Sequence, residues 1–197
     1  MVASQERFWA HAATFGATWG AVELTVGSFM HAIRLPFGGI LLGAIGAGLL
    51  VTLRLLFPER GVVLAAGAVC AGVKLLSPAG AIVGPATAIL VEASLVEAAC
   101  FVSGAQQWSG AVAGALCALW SLTQNLVTQT LLFGMPVIGI YLGVLDRAER
   151  WLRLPAGGGH WAAGALLMFV ALLGALFGLA GQHVGVAARQ HLRREAA

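Results

Sequence analysis

FGGILLGAIGAGLLVTLRLLF, residues Phe37 to Phe57, is an apolar run whose only charge, Arg54, lies near its end. Pro36 and Pro58 flank it directly. About 20 consecutive apolar residues in a helix cover the hydrocarbon thickness of a bilayer. The stretch therefore predicts a transmembrane helix, and the rest of the chain repeats the same pattern.

The composition of the whole chain agrees with this interpretation. Of its 197 residues, 59% are hydrophobic and only 10% are charged, whereas a soluble domain carries roughly 25% charged residues. The mean hydropathy is +0.90. A water-soluble core cannot absorb that much apolar surface, so we predict an all-α membrane protein whose residues 1–197 form a single transmembrane domain.

Apolar runs bounded by charge, proline or glycine predict six transmembrane helices in a polytopic bundle. The predicted helices are Phe8–Ile33, Phe37–Phe57, Gly61–Leu76, Ile82–Val102, Ser109–Phe133 and Trp161–His183. The stretch Pro136–Leu154 begins apolar and ends charged, which predicts an interfacial amphipathic helix. A seventh, partly inserted helix is the alternative. The first seven residues lack the features of a signal peptide, so we expect the first helix to be retained.

The net charge of +3 does not indicate a nucleic-acid partner, because the basic residues lie at helix ends without interleaved aromatic residues. A lipid bilayer explains them better. Six predicted helices put two groups of basic residues on opposite sides of the membrane. One group is Arg7, Arg54, Arg60, Arg189, Arg193 and Arg194, and the other is Arg34, Lys74, Arg147, Arg150 and Arg153. The small excess favours a bacterial cytoplasmic membrane protein with both termini in the cytoplasm.

Motifs of catalysis and metal binding are absent from the sequence. There is no HExxH, no GxSxG and no P-loop. Cys70, Cys100 and Cys117 lie in apolar runs without CxxC spacing, which favours thiols that only pack. We therefore expect neither an enzyme nor a metal site, with an intramembrane enzyme built on Glu23 and His31 as the alternative.

Three carboxylates lie inside predicted spans, where an ionisable group costs about 2.5 to 3.5 kcal/mol at the helix centre. They are Glu23, Glu92 and Glu97. Glu23 and His31 are eight residues apart, which places both on one face of the first helix. Glu92 and Glu97 diverge by about 140° around the fourth helix, so they cannot both point at one ligand. One of these two glutamates then has a structural role.

A polar stripe follows one face of the fifth predicted helix. It consists of Ser121, Gln124, Asn125, Thr128 and Gln129. In lipid such groups turn inward, towards either interhelical hydrogen bonds or a wet cavity. With both termini on one side, the stripe and several charged residues share the opposite half of the membrane. We predict a ligand pocket there, formed by Glu23, His31, Arg34, Lys74, Glu92, Asn125 and Gln129. The alternative for Lys74 is that it only pairs with a carboxylate.

Small residues recur at four-residue spacing, which lets helix backbones approach closely in lipid. The pairs are Ala13 with Ala17, Gly16 with Gly20, Gly39 with Gly43, and Gly110 with Gly114. Chains with 27 glycines contain such pairs often. Packing within the bundle and docking of another protein both remain open from the spacing alone.

In length, helix number and loop layout the chain resembles the substrate-binding S-components of energy-coupling factor (ECF) vitamin transporters. The resemblance rests on the small-residue face Ala13-Thr-Phe-Gly-Ala17 and on Ser77-Pro-Ala-Gly-Ala-Ile-Val-Gly84-Pro85 before the fourth helix. The carboxylates inside spans depart from the family pattern. No signature of a particular vitamin is present.

The resemblance implies a vitamin-like ligand bound from outside, and transport powered by ATPases on other chains through a transmembrane coupling protein. It implies that Ala13 and Ala17 dock on that coupling protein, while the loops near Arg34 and Ser77–Gly84 cover the ligand. No cofactor is implied, although a corrinoid with His31 on cobalt is an alternative. A different class of function stays open, namely a non-transporting subunit that stabilises a larger membrane complex.

Overall fold

A computed structural model describes residues 2–33, 38–76, 83–104, 108–133, 139 and 158–195. Within these residues all regular secondary structure is α-helical, which confirms the predicted all-α class. The helices are α1 (Val2–Ala32), α2 (Gly38–Leu56), α3 (Val62–Leu75), α4 (Val83–Ser103), α5 (Ser109–Phe133) and α6 (Gly158–Glu195).

The helix boundaries follow the punctuation of the sequence, with two exceptions. Helices α2 to α5 begin and end within one residue of their predicted bounds. Helix α1 begins six residues earlier than predicted, and α6 runs from Gly158 to Glu195 instead of from Trp161 to His183. Apolar content alone set the predicted ends of these two helices. Polar residues such as glutamine, glutamate and arginine also form helices readily, so a helix can extend beyond its apolar run.

The turn between α2 and α3 is fixed by side chains from two helices. Gly61 has a φ of 83°, a left-handed conformation that glycine adopts without strain. Arg54 donates to the carbonyl oxygen of Glu59 at 2.7 Å, and the backbone N–H of Gly61 donates to Glu97 on α4 at 3.0 Å. These bonds hold the start of α3 against the last part of α4.

Helix α2 forms the centre of the bundle and contacts each of the other five described helices. Around it the neighbours follow in the order α1, α3, α4, α5 and α6. Near its end α2 meets both the first and the last helix, since Phe57 stacks on His11 of α1 and Leu55 adjoins Gly185 of α6. The start of α1 and the end of α6 therefore lie at the same end of the bundle, which we call the terminal end.

Glycines set the close packing of α6. A Cβ added to Gly114 of α5 would overlap the carbonyl of Gly174, and one added to Gly110 would lie 2.5 Å from the carbonyl of Gly178. On its other side Gly181 lies against the carbonyl of Gly48 in α2, where Thr52 donates to the Gly181 carbonyl at 2.9 Å. The helix is thus held by backbone contacts that any side chain would block.

Within the part of the chain that the structure describes, three helices are both long and apolar enough to cross a bilayer: Gly38–Leu56, Gly84–Ser103 and Trp161–Glu195. The number is smaller than the six that the sequence predicts. Val62–Leu75 is apolar but short, about 21 Å at 1.5 Å per residue. Helices α1 and α5 are long enough, but polar residues interrupt them. The fold is therefore a helical bundle with the apolar helices of a membrane protein, while Pro136–Leu154, where we predict the interfacial helix, falls outside the described residues except for Gly139.

Candidate binding site

An ion pair joins α1 and α3 inside the bundle. The ammonium group of Lys74 lies 3.3 Å from Oε2 of Glu23 and donates also to the Glu23 backbone carbonyl at 3.4 Å. The two side chains are only 18% and 10% exposed. The structure therefore contains the alternative that the sequence left open, in which Lys74 pairs with a carboxylate. The pair neutralises two charges at a buried position.

Glycine leaves room beside this ion pair. Gly27 follows Glu23 by one turn of α1, and a Cβ there would lie 3.9 Å from the Lys74 ammonium and 3.2 Å from Leu42 of α2. His31 continues the same face of α1 one turn further, as the spacing predicts. The side chain of His31 lies outside the described residues, and so does Arg34 as a whole.

A second carboxylate lies deeper, between α2, α4 and α5. Glu92 is 4% exposed, and its Oε1 accepts a hydrogen bond from the Ser121 hydroxyl at 2.6 Å. The pair lies directly against Gly43, where a Cβ would overlap the Ser121 hydroxyl. Gly27, beside Glu23, adjoins Leu42 of α2, and Glu92 adjoins the next residue, Gly43. The two carboxylates therefore lie at a similar height along α2. We call Glu23, Lys74, Glu92 and Ser121 the polar layer.

Two further polar atoms near the layer have no hydrogen-bond partner among the described residues. The indole N–H of Trp19, a residue only 1% exposed, lies against Gly46 and interacts electrostatically with Glu23 without the geometry of a hydrogen bond. Oε1 of Gln124 is buried one turn beyond Ser121. Buried polar groups normally find partners, and since the Trp19 N–H faces Glu23, Oε1 of Gln124 is the one of these two atoms that is open to a ligand.

The polar stripe of α5 is described only in part. Ser121 and Gln124 turn inward, and Thr123, which is not part of the stripe, donates to the carbonyl of Leu119 in its own helix. Asn125 and Gln129 lie on described backbone, but the placement of their side chains is not described. The stripe therefore leads from Glu92 towards the end of the bundle opposite the terminal end.

Glu97 is separated from the polar layer and belongs to the terminal end. Its Oε1 accepts from the backbone N–H of Gly61, and Arg54 lies 3.9 Å from the same oxygen. This carboxylate therefore compensates the unpaired N–H groups at the start of α3. Of the two diverging glutamates on α4, Glu97 has the structural role.

Ala13 and Ala17 are exposed on α1, in contrast to Gly16 and Gly20, which pack against Val69 and Val73 of α3. The outward surface around the two alanines carries only small side chains. It comprises Ala10, Ala13, Thr14, Ala17, Thr18, Ala21 and Thr25, all exposed. The three threonine hydroxyls donate to carbonyls of α1 itself. This surface, the α1 small face, is smooth and has its polar groups satisfied.

The described cavities do not coincide with the polar layer. A cavity of about 590 Å³ lies between α4, α5 and α6, with an almost entirely apolar lining that includes Leu95, Leu116 and Met168. Such a lining suits a lipid acyl chain. The polar layer instead is closely packed, so we base the candidate site on its ionisable groups and not on cavity size.

Ser121 is the site residue that the sequence does not place in the pocket. Its signal is the regular spacing of the stripe, in which it occupies the position three residues before Gln124. Trp19 carries no such signal, because an indole in an apolar helix packs in a core or faces lipid equally well. Comparison with family models, curated proteins and solved structures finds no match for the chain.

Proposed function

We propose that the chain is a multi-pass membrane protein that binds a vitamin-like small molecule, in the manner of an ECF S-component. The observation that carries the proposal is the polar layer, because three ionisable side chains lie together inside a largely apolar bundle. Each costs roughly 2.5 to 3.5 kcal/mol at a membrane helix centre. A ligand site gives a physical reason for this cost.

In this proposal all six helices cross the membrane and the terminal end faces the cytoplasm. Helix α3 is short, and local thinning of the bilayer accommodates its length. The position of the α1 start and α6 end at one end of the bundle supports an even number of spans. The ligand then enters from the outer side, along the polar stripe.

The α1 small face supports the second part of the proposal, docking of a transmembrane coupling protein that works with ATPase subunits. Gly16 and Gly20 pack against α3 inside the bundle, whereas Ala13 and Ala17 are exposed. A flat surface of small residues allows another helix to approach closely. No catalytic step of the chain itself is part of the proposal.

The test is native mass spectrometry of the full chain purified from native membranes. We expect the wild type to retain a vitamin-sized molecule and a membrane partner with ATPase subunits. Ala13→Leu combined with Ala17→Leu should release the partner and keep the small molecule, since bulk there blocks close approach. The matched control is Ala162→Leu with Ala165→Leu, two exposed alanines of α6, which should release neither.

The outcomes separate the two parts of the proposal. A wild type without any small molecule contradicts ligand binding. Equal retention of the partner by both double variants removes the α1 small face from docking. The second candidate function, a non-transporting subunit, is favoured by the same exposed face. It predicts a retained membrane protein without ATPases and without a small molecule.

A further inference from the structure

The polar layer is unbalanced in charge. Among the described residues it contains two carboxylates, Glu23 and Glu92, and one ammonium group, that of Lys74. Lys74 is engaged by α1 through both the carboxylate and the backbone carbonyl of Glu23. No lysine or arginine nitrogen of the described residues lies within 4 Å of Glu92. The buried carboxylate of Glu92 thus has the Ser121 hydroxyl, and no cationic group, as its partner among the described residues.

A hydroxyl does not compensate a carboxylate in an apolar surrounding, because burying a charge is costly unless an opposite charge pairs with it. Moreover, Glu23 and Glu92 are close enough to repel each other. Among the described residues Lys74 pairs with Glu23 and forms no ion pair with Glu92. Glu92 therefore lacks the opposite charge that would stabilise its ionised form.

The surroundings hold Glu92 in place instead of letting it turn away. Gly43 of α2 packs on its carboxylate, Ser121 of α5 donates to it, and the thiol of Cys117 lies 3.5 Å from its backbone carbonyl. Three helices thus fix the carboxylate. A charged group held in this way binds a partner without the entropy cost of ordering it.

The neighbouring stripe adds a second acceptor. Oε1 of Gln124, one turn beyond Ser121, is buried without a donor among the described residues. A carboxylate and an amide oxygen together suit a group with several N–H donors.

We infer that the ligand carries one positive charge, as a protonated amine or amidine, and that Glu92 with Ser121 and Gln124 binds this cationic group. The inference rests on the proposed function and names the chemical class of its ligand. Charge-assisted hydrogen bonds of this kind are about twice as strong as neutral ones. Glu92 then determines specificity, while the Glu23–Lys74 pair closes the layer on the side of α1.

Three probes that share one scaffold test the charge. Benzylammonium, benzyl alcohol and benzoate are cationic, neutral and anionic at pH 7, and each is titrated into the purified full chain while the midpoint of thermal unfolding is followed. We expect benzylammonium to raise the midpoint in the wild type and benzoate to leave it unchanged. Any effect of benzyl alcohol should be the same in wild type and Glu92→Gln, because it reflects partition into the apolar phase.

The variants localise the effect. Glu92→Gln keeps the shape and the acceptor for Ser121, and should require at least about tenfold more benzylammonium for the same rise. Glu97→Gln, on the same helix but at the terminal end, should respond as the wild type does. Ser121→Ala retains the carboxylate, so its preference for benzylammonium over benzoate should persist.

Equal responses to benzylammonium and benzoate, or an unchanged response in Glu92→Gln, overturn the inference. A neutral or anionic molecule retained in native mass spectrometry overturns it as well, while leaving the proposed function intact. If no small molecule is retained and no probe shifts the midpoint, the proposed function fails together with the inference.

Discussion

Single glycines decide whether the polar layer can form at all. Gly39 and Gly43 lie one turn apart in α2 and share the same small-residue spacing. A Cβ at Gly43 would overlap the Ser121 hydroxyl and lie 2.7 Å from the Glu92 carboxylate, whereas one at Gly39 would meet nothing within 4 Å. The two glycines have the same spacing in the sequence, but only Gly43 lies in a tightly packed position.

We predict that Gly43→Ala lowers the free energy of unfolding by about 1 to 3 kcal/mol, the usual cost of overpacking. Gly39→Ala is the matched control and should raise it by about 0.5 to 1 kcal/mol, because alanine favours the helix. Unfolding in mixed detergent micelles measures both. Equal effects of the two substitutions would contradict the placement of Glu92 against Gly43.

At the scale of the helices, α6 owes its position to contacts between backbones. Gly114 and Gly174 approach each other so closely that neither tolerates a side chain, and Gly110 and Gly178 repeat the contact one turn away. Most of the remaining surface of α6 is exposed, including Leu167, Phe169 and Leu172. The backbone contacts therefore act together with side-chain packing, in which Val170 contacts the buried Ile40 and Ala118.

Gly114→Ala should accordingly separate α5 from α6 and lower the midpoint of thermal unfolding. We expect a loss of about 3 kcal/mol, at the upper end for overpacking, since the obstacle is a backbone carbonyl that cannot change rotamer. Gly164→Ala in the exposed first part of α6 meets nothing within 4 Å and is the control. Stability of Gly114→Ala at or above that of this control would show that the two helices are not in backbone contact.

The helices were predictable because proline, glycine and charge end apolar runs in a membrane protein. Pro58 and Gly61 separate α2 from α3 where the sequence predicts it. The direction of each small-residue pair was not predictable, since the spacing of Ala13 with Ala17 is identical to that of Gly16 with Gly20. One pair is exposed and the other packs on α3, a difference set only by how α1 rotates against its neighbours.

The candidate site was predictable to a similar degree. Glu23, Lys74 and Glu92 are identified by their cost in an apolar run, and the structure places Lys74 on Glu23. The different roles of Glu92 and Glu97 could not be predicted from the sequence. Helical spacing gives the angle between the two side chains but not which helix each one contacts. Only the structure brings Glu97 to Gly61 and Glu92 to Ser121.

For the whole molecule, the structure shows which exposed positions share an end of the bundle. The turn at Glu59 and the exposed Gln190 near the end of α6 belong to the terminal end, and Leu76, which is 85% exposed, belongs to the opposite end. All three native cysteines are buried. A membrane-impermeant thiol reagent applied to intact cells therefore meets little background.

We expect Leu76→Cys to react with the reagent from outside, and Glu59→Cys and Gln190→Cys to react only after the membrane is opened. The wild type, which has only its buried thiols, is the control. Reaction of Glu59→Cys and Gln190→Cys from opposite sides would refute the common terminal end. Reversal of all three would keep the bundle but invert the proposed orientation.

The length of α6 has a mechanical consequence. Beyond Gly185, which adjoins Leu55 of α2, the helix continues for ten residues, or about 15 Å, and its last six residues are exposed. A rigid rod fixed to a bundle by backbone contacts acts as a lever arm. When such a bundle tilts, the tip of the rod, where Arg193 and Arg194 lie, moves furthest.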